Sequence, residues 1–151
     1  MKKFQFKLDK LLDYKSKLLE NEILALAALN AELAAVNRRM GDMAESVRAN
    51  RSELQAAQLE RGVTPALCRM YLRYEDFLKE EIAKAKRLAA QIERRIEKQI
   101  ETVKELRLET RSMELLRESR LSEYRNAEVK ENERQVEEYV NTSRLMRAAH
   151  F

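Results

Sequence analysis

An apolar side chain stands at every seventh position from Leu12 through Leu19, Leu26, Leu33, Met40 and Val47 to Leu54. An ideal α-helix of about 3.6 residues per turn drifts by roughly 20° per heptad, so a seven-residue stripe held this long calls for helices that supercoil around a partner. Taking that row as heptad position a puts Lys15, Glu22, Leu29, Val36, Met43, Asn50 and Ala57 at d. The seam is strongest from Leu26 to Met43 and weakens towards both ends. Charged residues make up 37% of the 151 and aromatics 6%, with no Trp, which suits long helices with one narrow apolar face better than a thick core.

No proline interrupts the pattern from Phe4 to Glu60, and Gly41 falls at an outward b position where it costs about 1 kcal/mol relative to Ala. The spacing therefore predicts one first helix over about 4–60. It stops at Arg61-Gly62-Val63-Thr64-Pro65, where Gly62 suits a left-handed C′ residue, Thr64 an N-cap and Pro65 a first helical position. A second seam follows, with Glu75, Ile82, Ala89, Ile96, Val103 and Thr110 in one row. Leu78, Ala85, Ile92, Gln99, Leu106 and Met113 form the other.

In an antiparallel hairpin a faces d, and paired residue numbers share one sum. A sum of 125 sets Leu33 opposite Ile92, Leu19 opposite Leu106, Leu12 opposite Met113 and Met43 opposite Ile82, with its midpoint between Gly62 and Val63. That midpoint coincides with the break that glycine and proline mark independently. The expected fold is all-α: a long two-helix antiparallel coiled-coil hairpin forming a single domain over 1–151, with a turn at about 61–64 and a second helix over about 65–147. Its first arm is exhausted near Phe4, opposite about Leu121. The second continues as an overhang that could project roughly 40 Å at 1.5 Å per residue. Apolar residues resume there as Tyr124, Val129, Val136, Tyr139 and Val140.

The net charge of +4 arises from 30 basic and 26 acidic residues, a mixed field that gives nucleic-acid binding no clear support. Cys68 is the single cysteine, which excludes an intrachain disulfide and fits a reducing compartment. Neither a secretory leader nor an apolar run of about 18 residues is evident, so a soluble, intracellular protein is expected.

No catalytic constellation emerges. Gly41 and Gly62 stand apart, His150 is the lone histidine, and adjacent pairs such as Glu80-Glu81 and Glu137-Glu138 read as solvated helix surface. Neither an enzyme, a cofactor nor a metal site is expected. Two stretches rise above this background. Phe4-Gln5-Phe6-Lys7-Leu8-Asp9-Lys10-Leu11-Leu12 carries more large apolar residues than a narrow seam covers. It either packs on the second arm near Leu116 and Leu121, binds a partner, or touches a membrane as a lysine-flanked amphipathic segment. Tyr71, Tyr74 and Phe77 follow the turn, with Tyr74 and Phe77 at the seam's edge, where partly exposed rings either close the coiled coil or dock a partner.

At these residues the sequence resembles the FliJ family of bacterial flagellar type III export. The likeness lies in Phe4-x-Phe6-x-Leu8-x-x-Leu11-Leu12-x-x-Lys15, in Gly62-Val63-Thr64, in Tyr74-x-x-Phe77-Leu78 and in Arg125-x-x-Glu128-x-Lys130-x-x-Glu133. The resemblance implies a non-enzymatic antiparallel coiled coil acting as central stalk of the hexameric export ATPase, similar in shape to the rotor shafts of F-type and V-type ATPases. It further implies contact with the export gate membrane protein, help in cycling export chaperones, and a peripheral place at the cytoplasmic face of the inner membrane.

Carried onto this chain, ATPase contact would fall to Phe4, Phe6, Leu8, Leu11, Leu12 and Lys15, together with Tyr124, Val129, Val136 and Tyr139 of the overhang. Tyr71, Tyr74 and Phe77 would form a patch towards the gate, beside Glu81 and Lys84, where the resemblance leads one to expect smaller or apolar neighbours. An injectisome stalk, a rotor subunit of an F-type or V-type ATPase and a generic coiled-coil scaffold are the alternative readings.

Overall fold

The computed structural model describes residues 2–150; Met1 and Phe151, which the single-domain expectation includes, lie outside the described residues. Two α-helices, α1 (Asp9–Glu60) and α2 (Pro65–Ala149), form an all-α hairpin with no strand among the described residues. The chain divides into two compact units. A turn unit comprises Glu20–Lys104, and a terminal unit comprises Met1–Leu19 with Glu105–Phe151.

In the turn unit, every heptad position named above, from Glu22 to Ala57 on α1 and from Glu75 to Val103 on α2, is buried or half-buried. Leu29, Val47, Leu78, Ala85, Ala89, Ile92 and Val103 form the core, and Ile92 is the most enclosed at 3% exposure. Two ion pairs flank the seam, Arg39 to Glu81 at 3.8 Å and Arg95 to Glu32 at 3.7 Å, each made by residues immediately preceding an a position. Exposed pairs of this kind add little stability, but they report alignment.

Two polar layers interrupt the apolar row. Asn50 Nδ2 donates to the Tyr71 carbonyl at 2.9 Å, and Gln99 Nε2 donates to the Glu22 carbonyl at 2.9 Å and also to its carboxylate. A polar residue in a coiled-coil core fixes register, because any slip leaves it buried without its partner.

The turn forms as the residue types dictate. Gly62 has φ of 66°, a left-handed backbone that costs side-chain-bearing residues about 1 kcal/mol or more. Thr64 Oγ1 accepts from the Leu67 amide at 3.2 Å as an N-cap, and the Cys68 amide donates to the Thr64 carbonyl at 3.0 Å to begin α2.

In the terminal unit, Leu106 and Thr110 are buried, and Leu12, Lys15, Leu19, Met113, Arg117, Leu121 and Tyr124 are half-buried. Lys15 pairs with Glu109 at 2.8 Å and Arg117 with Asp9 at 3.0 Å. Each lies within one residue of the partner that a sum of 125 assigns. Helix α2 runs without interruption through Ser112 to Ser122.

The start of α1 is corrected. The helix begins at Asp9 instead of near Phe4; residues 2–6 have no regular structure and Lys7-Leu8 form a turn. Asp9 donates its amide to the Phe6 carbonyl at 3.1 Å and stands in the first turn, where its charge favours the helix N-terminus. Unwound chain spans up to about 3.3 Å per residue against 1.5 Å in a helix, so the same residues reach further along α2. Phe4 accordingly meets Tyr124 instead of stopping opposite Leu121.

Candidate functional site

The terminal unit gathers an aromatic and cationic cluster around this unwound segment. The rings of Phe4 and Tyr124 lie 5.6 Å apart, tilted by 54°, within the range in which aromatic pairs attract. The Arg117 guanidinium sits 5.7 Å from the centre of the Phe4 ring while its Nε bonds Asp9 Oδ1 at 3.0 Å. Tyr124 donates its hydroxyl proton to the Lys2 carbonyl, and Phe6 is buried at 8% exposure. Phe4 and Phe6 thus pack on α2, as one of the three sequence readings held.

Between segment and helix lies a cavity of about 640 Å³, lined by Lys2, Phe4, Phe6, Leu116, Arg120 and Tyr124 among others. Its lining mixes basic and aromatic side chains. Leu8 and Leu11 are exposed, whereas Leu12 and Lys15 are half-buried. The hydrogen bond that the Lys15 ammonium donates to Glu109, and then the Glu109 charge, raise the ammonium above the ordinary lysine value of 10.5.

Further along α2, Val129, Val136 and Tyr139 are exposed by 55%, 61% and 74%. Val129 and Val136 line a shallow groove with Asn132, Glu133 and Glu137. The structure therefore joins Phe4, Phe6 and Tyr124 into one cluster and leaves Val129, Val136 and Tyr139 as a separate bare stripe. Arg117 was not singled out from the sequence.

In the turn unit, Tyr71 is half-buried and its carbonyl is occupied by Asn50, while Tyr74 and Phe77 are half-exposed. Met70, 67% exposed, lies one turn before Tyr74 on the same face and was missed, although its i, i+4 and i+7 spacing to Tyr74 and Phe77 was readable. Glu81 is tied to Arg39 and, at 3.3 Å, to Lys84, which gives that face a charged border. Among the described residues no group of three or more His, Cys, Asp or Glu is placed to hold a metal ion.

The family model for the flagellar FliJ protein matches residues 4–148. The chain belongs to the FliJ family. No curated protein and no solved structure gives a match. The FliJ match opens at Phe4 and spans the exposed stripe, so every candidate residue above falls inside it. Membership makes this a flagellar export-related protein. Among the described residues no helix is long and apolar enough to cross a membrane.

Proposed function

We propose that this FliJ-family chain is a non-enzymatic central stalk that binds the hexameric flagellar export ATPase and stimulates its hydrolysis of ATP. The observation that carries the reading is the exposed stripe Val129, Val136 and Tyr139 on a helix that runs past its partner arm, an apolar face that a surrounding ring would cover. The Phe4 and Tyr124 cluster, with Leu8 and Leu11 exposed beside it, supplies a second element of the same contact. Tyr71, Tyr74 and Phe77 serve as a separate patch for the export gate, and assistance to export chaperones belongs to the same assembly. The protein works peripherally at the cytoplasmic face of the inner membrane, without a cofactor.

The test is to titrate the purified chain into its cognate export ATPase and follow phosphate release. Stimulation that saturates with binding supports the stalk. Neither binding nor stimulation, by a chain whose helicity is intact in circular dichroism, refutes it. The family match favours the flagellar over the injectisome system, and growth of the producing bacterium with and without the gene, scored for swimming, tests that choice.

A further inference from the structure

The exposed stripe of α2 in the terminal unit has a charge order that selects its own partner. Val129, Val136, Tyr139 and Met146 repeat at heptad a and d spacing and are all more than half exposed. Residues 128–138 carry five glutamates against Lys130 and Arg134, whereas residues 139–149 carry Arg144 and Arg147 with no acidic residue. Two parallel copies would lay the acidic half on the acidic half. Two antiparallel copies lay it on the basic half, which is the favourable arrangement.

We propose that this face pairs with a second copy of the chain as a weak antiparallel homodimer over residues 129–146. One register satisfies both the apolar and the polar positions. Val129 faces Met146 of the second copy, Val136 faces Tyr139, and Asn132 faces Ser143, so polar residues meet each other in two symmetry-related layers and apolar residues in the other four. Glu133 then flanks the seam on the same side as Arg147 of the second copy. The same antiparallel a-to-d geometry operates inside the chain, where Arg39 reaches Glu81 and Arg95 reaches Glu32 beside the seam.

With four apolar layers and two polar layers the association is reversible and concentration-dependent. Because the face is also the one assigned above to the ATPase ring, dimer and ring would exclude each other. That consequence rests on the stalk reading, whereas the dimer is measured on the chain alone, so either can fail without the other.

Sedimentation velocity of the full chain over increasing concentration tests the proposal, with Val136→Glu as the disrupting variant. The expected result is a monomer–dimer equilibrium that Val136→Glu weakens by at least about tenfold. Spin labels in a Cys68→Ser background then test direction, through Lys130→Cys in one sample and Glu138→Cys in another. Antiparallel pairing sets the labels at 138 on nearly the same level and those at 130 about 22 Å apart along the axis, at 1.5 Å per residue. A chain that stays monomeric throughout, a dimer indifferent to Val136→Glu, or equally short distances for both labels overturns it.

Discussion

Replacing Ile92 by Ala tests whether the heptad seam is what holds the turn unit together. Ile92 is 3% exposed, so the change removes three carbons from a buried seam position, worth about 2.4 kcal/mol at roughly 0.8 kcal/mol per buried carbon. Deep cores add a cavity term that can bring such substitutions to about 5 kcal/mol. Here only two helices enclose the site, so solvent reaches the void and the cavity term stays small; the expected loss is about 2–3 kcal/mol.

Leu88, 45% exposed on the same helix, is the control, and Leu88→Ala should cost no more than about 1 kcal/mol. Urea unfolding followed by far-ultraviolet circular dichroism measures both. Equal losses for the two variants, or a loss below about 1 kcal/mol for Ile92→Ala, would refute the seam as the main source of stability.

Three further outcomes follow from single residues. Gly41 lies in the interior of α1 with open space where a Cβ would stand, and Gly62 has open space but a left-handed backbone. Gly41→Ala should therefore stabilise by up to about 1 kcal/mol and Gly62→Ala destabilise by about the same, read as opposite shifts in the urea midpoint. Thr110 is 5% exposed and its hydroxyl has no hydrogen-bond partner among the described residues, so Thr110→Val should raise stability by about 1 kcal/mol; a loss of that size would mean that the hydroxyl is bonded.

Lys15 has its ammonium raised above 10.5 by Glu109, so its contribution is fully present below that pH and is lost as pH climbs through the higher folded-state value. The stability gap between the protein and Lys15→Met should be constant from neutral pH to about pH 10 and narrow above it. A gap that stays unchanged above pH 10 would show that the Lys15 ammonium makes no such contribution.

The hairpin was legible because its determinants are periodic. One apolar row fixed α1, a second fixed α2, and Gly62, Thr64 and Pro65 marked the turn without help from either. Arg117 with Asp9, and Lys15 with Glu109, then fall beside the pairs that register assigns. Residues 4–8 were misread because Phe4, Phe6 and Leu8 were taken as excess apolar residues on a helix. Their alternation in steps of two is the pattern of non-helical chain, with Phe6 turned inward, and Asp9 is the acidic residue that starts the helix. The cation over Phe4 was not legible, since it depends on how far an unwound segment reaches along α2.

Surfaces were partly legible for the same reason. Tyr74 and Phe77 at the edge of a narrow seam had to be partly exposed, and they are. The burial of Phe6 was one of three open readings, because a heptad row says nothing about a residue that precedes the helix.

The most direct measurement of the central claim is site-specific photocrosslinking to the cognate export ATPase. A photoreactive residue at Tyr139, 74% exposed, should crosslink to the ATPase, while one at Leu108, 71% exposed but outside the proposed contact, should not. Crosslinks from Leu108 and none from Tyr139, in a mixture where the two proteins bind, would contradict the account.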